Sequence, residues 1–207
     1  MKVEVWADVL CPWSYLGKRR LESALVLHGD ADAIDVEWRS WELDSELPIE
    51  PALMTVERMV RSGRPRAAVL ERFAHIVSLG RAEGLELNLQ TARPANSFDA
   101  HRLLVHAEGR GLRGALMERL LHAYHTENRN LADHGVLAGA AHETGLDREA
   151  ATAVLASGEH GDEVRSEQRR GAALGVAGVP TFVVDGVAAP PGALPADTLA
   201  GLFAARC

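Results

Sequence analysis

The chemistry-bearing residues of this chain gather first at Cys11-Pro12-Trp13-Ser14, one of only two cysteines standing with a proline, an aromatic ring and a hydroxyl close behind it. Before it runs "KVEVWADV" (2–9), alternating as a strand does. After it, Pro12 suits the first turn of a helix, where its missing N–H costs nothing. A cysteine at that junction faces unpaired backbone N–H groups and the positive end of a helix dipole. Both favour thiolate over thiol, so a lowered pKa is expected. A lone cysteine is often only a small buried hydrophobe, but the strand, proline, aromatic and helix context argues for a nucleophile. Trp13 can shield the sulfur from water, and Ser14, three residues on, can donate a hydrogen bond to it.

Ser14 also limits the chemistry. An alcohol is far too weakly acidic to resolve a mixed disulfide as a second thiol does, so a self-contained dithiol cycle is not expected. Three reactions remain for Cys11. It can exchange disulfides with an external small thiol such as glutathione, isomerise disulfides by attack and release, or add to a conjugated double bond and depart.

The elements that must hold this site are legible in outline. "AIDVEWRSWEL" (33–43) alternates again, and Gly29 marks the end of an intervening helix on which Leu16, Leu21, Ala24, Leu25 and Leu27 can share a face. Strand, helix, strand at this spacing favours a parallel pair joined by a right-handed crossover. A loop at 44–50 leads into about a hundred mostly helical residues, with Asn96 or Ser97, Asp133 and Asp147 as helix caps and 85–95 as a polar connection. The character reverses near the C-terminal end. A long helix stops near Gly175, "VPTFVVDGVAA" (179–189) reads as a hairpin turning at Asp185-Gly186, and a last helix follows.

Composition removes several classes. The net charge of −7, from 22 Lys+Arg against 29 Asp+Glu, disfavours nucleic acid as a partner. The cationic runs "GKRR" (17–20) and "RSGRPR" (61–66) read as solvated faces. No apolar run is long enough to span a bilayer. "MKVEVWADVL" lacks the apolar core of a secretory leader, from which a cytoplasmic location is expected. A structural disulfide between Cys11 and Cys207 is not expected there; Cys207 reads as exposed and incidental. His122 and His125 share a helix face by spacing, but no Cys or carboxylate pattern joins them, so no metal site is assigned.

These runs together resemble a known family. "DVLCPWSYLGKRRLE" (8–22), "WRSWELD" (38–44), "NSFDAHRLLVHA" (96–107), "LLHAYHTENRNLADHGVLAGAAHETGLD" (120–147) and "GVAGVPTFVVDG" (175–186) are similar to the DsbA-like thioredoxin-fold group. That group includes the FrnE-type proteins of polyketide clusters, 2-hydroxychromene-2-carboxylate isomerase and kappa-class glutathione transferase. The resemblance covers nearly the whole chain. It implies a thioredoxin fold with a large all-helical insertion: a β-α-β half at 1–43, the insertion at 44–158 and an α-β-β-α half at 159–207. It implies Cys11 and Ser14 as the catalytic pair, flanked by Pro12 and Trp13. Trans is the default for an X-Pro bond, yet the resemblance implies a cis Pro180 beside the cysteine, with the Val179 backbone offered to an extended substrate. Asn96 and His101 read first as structural, a cap and a helix-face residue, with a place facing the cysteine across the cleft as the alternative. Trp41 and Leu43 read first as plain core and second as candidates for the pocket lining, and Tyr15 as a pocket wall or simple helix packing.

The departures from the family pattern set the functional choice. FrnE-type oxidoreductases usually carry C-P-W-C, whereas the isomerase and the kappa transferase usually have serine at the Cys11 position and use glutathione. "APPGAL" (189–194) replaces the family's Ser-Gly-Ala-Gln stretch. The leading expectation is a single-thiol disulfide oxidoreductase resolved by an external thiol. The alternatives are a thiol-dependent cis/trans isomerase of a small conjugated or carrier-bound substrate, and a non-catalytic binding protein. No bound cofactor is expected beyond glutathione or a similar thiol, and the helical insertion is compatible with a homodimer.

Overall fold

The computed structural model describes residues 1–30 and 33–206; Cys207 lies outside the described residues. The chain opens with β1 (Lys2–Ala7), α1 (Pro12–His28) and β2 (Asp35–Ser40). Helices α2 (Thr55–Arg61), α3 (Arg66–Ala82), α4 (Phe98–Glu108), α5 (Arg113–His125), α6 (His134–Glu143) and α7 (Arg148–Ala156) follow. The chain closes with α8 (Gly161–Ala173), β3 (Thr181–Val184), β4 (Val187–Ala188) and α9 (Ala196–Ala204). The sheet order is β2-β1-β3-β4, with β1 parallel to β2 and antiparallel to β3. This is the expected thioredoxin-like sheet, with α2 to α7 inserted between β2 and α8.

Strand alternation builds two layers. Val3, Val5 and Ala7 of β1 are fully buried in the main apolar core with Phe182 and Val184 of β3. Trp6 and Val183 face the other way and pack with Val176. Helices α1 and α9 pack together on the first side. Helix α8 closes the second at a close approach: a Cβ on Gly171 would stand 2.5 Å from the Trp6 indole nitrogen. The main core runs on from the sheet into the helical block without a break, through Phe73, Leu104, Leu120 and Leu155.

Several boundaries differ from the sequence reading for local reasons. Strand β1 stops at Ala7 because the Asp8 carboxylate turns the chain, accepting from the Leu10 N–H at 3.0 Å. The stretch 85–95 forms no strand and is not polar inside, since Leu85, Leu87 and Leu89 are buried. Leu27 leaves the shared face and is exposed in the last turn of α1. Ser97 occupies the cap position of α4 without a side-chain cap bond, and the Asn96 side chain instead accepts from the Phe98 N–H at 2.9 Å. Asp133 and Asp147 cap α6 and α7 through their carboxylates, and Asp185-Gly186 turns the β3–β4 hairpin with both φ positive.

Buried ion pairs tie the inserted helices to the sheet. The Glu167 carboxylate of α8 accepts from Arg113 of α5 at 2.8 Å, from Arg39 of β2 at 3.0 Å and from the Ser40 N–H at 2.8 Å. Arg39 also pairs with Glu4 of β1, which Arg170 of α8 grips from the other side. On the opposite flank, Tyr15 donates to Glu118 of α5 at 2.9 Å and Lys18 pairs with it at 2.8 Å. The "GKRR" cations are therefore largely engaged within the chain: Arg19 pairs with Glu22 and Glu118, and Arg20 with Glu83.

Candidate active site

Cys11 is the N-cap residue of α1, with φ −91° and ψ 115°, and Pro12 begins the helix. The turn that presents it is closed by its N–H to the Asp8 carbonyl at 3.1 Å and by the Ser14 N–H to its own carbonyl at 2.9 Å. The Val179–Pro180 peptide is cis. Its Val179 carbonyl accepts from the Cys11 Sγ at 3.5 Å. Gly17 lets α1 approach this loop: a Cβ there would stand 2.8 Å from the Pro180 ring. Pro180 itself is buried.

The electrostatics depart from expectation. Cys11 is only 4% exposed. Burial pushes its thiol up, from an ordinary 9.0 to about 11, and the Asp8 charge adds to the rise. The Ser14 N–H and hydroxyl and the Trp13 N–H bond to the sulfur and pull the other way, but they do not offset burial. The lowering expected from the helix N-terminus is thus corrected: a dipole at a helix end contributes modestly, whereas removing a thiolate from water costs more. Ser14 is fully buried, so its hydroxyl is fixed beside the thiol; it also accepts from the Asp8 N–H at 3.4 Å.

Cys11 stands at the wall of a cavity of about 370 Å³. Leu10, Pro12 and Trp13 flank the thiol; Leu43, Met59, Phe73, Ile76, Leu89 and Ala92 add apolar lining. Tyr124 and His125 of α5 line it, as do Gly178 and Val179. Arg72 is the one charged residue of the lining, and among the described residues it has no ion-pair partner.

His125 is fully buried, and burial lowers its pKa to about 3 despite the nearby Asp8 charge. The ring is therefore neutral at ordinary pH. It lies near the backbone of Val9 and Cys11, but neither ring nitrogen makes a well-aligned hydrogen bond. The Tyr124 hydroxyl bonds to Thr55, and its ring meets that of His125 edge-on at 4.8 Å.

The candidates from the sequence fall in three places. Cys11, Pro12, Trp13, Leu43 and Val179 meet at the cavity. His101 is fully buried behind the site, its Nε2 3.6 Å from Asp8, and does not reach the cavity. Asn96 is outside the cavity lining; it accepts from the Phe98 N–H at the start of α4 and donates to the Ser45 carbonyl at 3.1 Å. Trp41 packs against the cluster of Trp6, Val176 and Val183 on the other side of the sheet, outside the cavity lining. Tyr15 braces α1 on α5 through Glu118, not the pocket. Sequence reasoning missed Asp8, Arg72, Tyr124 and His125. His125 stood out only by its spacing from His122, yet the two diverge: His122 is half exposed and pairs with Glu127 at 3.0 Å.

Asp8 gives a direct test of this electrostatic picture. Its carboxylate also accepts from the Leu43 N–H at 2.7 Å, so it holds a wall of the cavity as well as raising the thiol pKa. Asp8→Asn is expected to lower the Cys11 pKa and speed its alkylation by iodoacetamide several-fold at fixed pH. An unchanged or slower rate would reject the charge effect.

Comparisons with known proteins fit this geometry. A family model described as DSBA-like thioredoxin domain matches residues 2–204. A probable DsbA oxidoreductase from Streptomyces coelicolor is 32% identical, with a TM-score of 0.94 over 99% of this chain and 89% of that one. 2-Hydroxychromene-2-carboxylate isomerase shares the fold at 19% identity and TM-score 0.70, covering 100% of this chain and 94% of that one. The cytosolic disulfide reductase DsbM from Pseudomonas aeruginosa, in a structure with GSH, shares it at 18% identity and TM-score 0.64, covering 100% and 98%. No curated protein sequence matches the chain significantly. Among the described residues, no helix is long and apolar enough to cross a membrane.

Proposed function

Because the chain belongs to the DSBA-like thioredoxin domain family, a group with thiol oxidoreductases and isomerases among its structural relatives, we propose that it uses Cys11 on a small, mainly apolar, conjugated substrate and isomerises it by reversible thiol addition. The carrying observation is the cavity itself: the buried thiol faces an apolar chamber of about 370 Å³, and the second redox position holds Ser14. The 4% exposure of Cys11 disfavours a bulky protein disulfide, and the mainly apolar wall favours an apolar ligand over a polar thiol peptide.

The reaction closes without a redox partner. The Cys11 sulfur adds to the β-carbon of the activated double bond, the π pair moves to the conjugated carbonyl oxygen, and the thiol proton passes to that oxygen. The former double bond rotates. The proton then returns to sulfur, the C–S bond breaks, and the alkene reforms in the other geometry. A protonated resting thiol suits this sequence, since proton and sulfur are both delivered to the substrate and both recovered. His125 is too weak a base to take the proton; its neutral ring, held near the Val9 and Cys11 backbone, serves as a wall of the cavity beside the reacting atoms. Ser14 steadies the sulfur, Pro12 and Trp13 flank it, and Arg72 meets an anionic end of the substrate. The protein would act in the cytoplasm.

A second reading is thiol–disulfide exchange with a small disulfide such as oxidised glutathione. One observation favours it: among the described residues, the Val179 N–H beside the sulfur has no hydrogen-bond partner and is free to pair with an extended ligand. The two readings separate in one experiment. The chain is incubated with a cis-enone bearing an apolar tail, cis-to-trans conversion is followed by proton NMR, and adducts on the Cys11 peptide are weighed by mass spectrometry. Isomerisation with a transient adduct of the enone's mass is expected. Modification by oxidised glutathione without turnover of the enone would replace the first reading by the second; neither event would sink both.

A further inference from the structure

Outside the Cys11 site, the structure brings together three ligating side chains from two stretches that are far apart in sequence. His106 stands in the last turn of α4, and Glu159 and His160 lead into α8. The His106 Nδ1 and the His160 Nε2 are 3.3 Å apart, and the His160 Nε2 is 3.4 Å from the Glu159 Oε1. Ligand atoms of all three lie within 4.8 Å of one another. Two ligands about 2.0–2.1 Å from a tetrahedral zinc stand about 3.3–3.4 Å apart, so the gaps to the His160 nitrogen are those of a zinc tetrahedron's edges.

The surroundings hold these groups in place. Buried Arg102 of α4 donates to the Ser157 carbonyl at 2.6 Å and the Glu159 carbonyl at 2.7 Å, which fixes the turn that carries Glu159 and His160. His160 has φ +64°, a left-handed conformation few side chains adopt and one that needs its surroundings to hold it. Its other ring nitrogen faces Glu163 at 3.3 Å. A carboxylate in that position keeps the proton on Nδ1 and leaves Nε2 open as a ligand.

We propose that His106, Glu159 and His160 form a binding site for a divalent transition metal of the zinc class, with a water in the fourth position. The site would join α4 of the insertion to the entry of α8. One residue opposes it: the Arg110 guanidinium donates towards the His106 Nε2 at 3.0 Å. In the metal-free chain that bond leaves the His106 proton on Nδ1, shared with His160. Metal entry displaces that proton, which solvent exchange returns to Nε2 as Arg110 swings out. No net proton is lost, and Arg110 acts as a competitor for the metal.

The test uses the untagged full chain and zinc chloride, read by calorimetry. One zinc per chain is expected, with affinity falling about tenfold to a hundredfold or more in His106→Gln and in His160→Asn, while Cys11→Ser leaves it unchanged and Arg110→Ala tightens it. Asn suits the left-handed backbone at 160. The imidazole nitrogen NMR signals of the wild type supply a readout that needs no variant: zinc must shift His106 and His160. Absence of a stoichiometric site, zinc shifts confined to other histidines, or loss of binding with Cys11→Ser would overturn the assignment.

Discussion

Cys11→Ser is expected to cut isomerisation of the apolar enone by roughly a thousandfold or more, the scale of losing a nucleophile that acts as one unit with its surroundings. A serine hydroxyl in the same enclosed position is both a weaker nucleophile and a poorer leaving group, so addition and departure fail together. Cys11→Ala should be as inactive. Neither change removes the backbone bonds of the 8–14 turn, so circular dichroism and melting temperature should stay close to wild type. Full activity in a folded Cys11→Ser protein would end every thiol-based reading of this chain. If activity falls only because the protein unfolds, the melting curve shows it, and covalent labelling of wild-type Cys11 by the enone then decides the matter.

The second large effect concerns stability. Glu167→Ala is expected to cost about 3–5 kcal/mol, the range for breaking a buried ion pair by removing one partner. The loss follows from what would be left behind: Arg113, 5% exposed, keeps only Glu108 at 2.9 Å and the Ser40 hydroxyl, which places the cost toward the lower end of that range, and the Ser40 N–H gives up its acceptor. For a chain of this size that lowers the melting temperature by roughly 6–20 °C. The same residue sets an acid limit. Burial alone would raise the Glu167 pKa, but the Arg113 hydrogen bond and charge, with Ser40, bring it from 4.5 down to about 2. A folded pKa below the unfolded one gives stability that is present above pH 4.5 and lost as pH falls toward 2. The shift is worth on the order of 3 kcal/mol. Wild type should therefore lose stability through that window, and Glu167→Gln should lose visibly less on the same acidification while starting lower at neutral pH. A variant that melts with wild type would show that the network contributes nothing net.

How much of this was legible follows from sequence distance. The two ends of the fold were readable because strand alternation, Pro12, Gly29 and Asp185-Gly186 are local signals that report local geometry. The meeting of Cys11 with Val179 was readable only through family resemblance, since no spacing rule links residues so far apart. The sign of the Cys11 pKa shift was not readable at all. A helix N-terminus is visible in sequence, but the burial that outweighs it arises from tertiary packing, which no periodicity gives. His101 and Asn96 show the same gap: both belong to a family-like run, yet one backs Asp8 and the other ties down the loop at 44–50. No local signal marks Glu167 within its helix, and its partners Arg39 and Arg113 lie on two other elements.

The cavity is assembled from two sources. The sulfur and the Val179 carbonyl come from the ends of the sheet domain, while Met59, Phe73, Ile76 and Leu89 come from the inserted segment. That is a division of labour between a fixed reagent and an interchangeable mould. Substitutions within 55–92 can reshape what is admitted without disturbing the turn that holds the thiol.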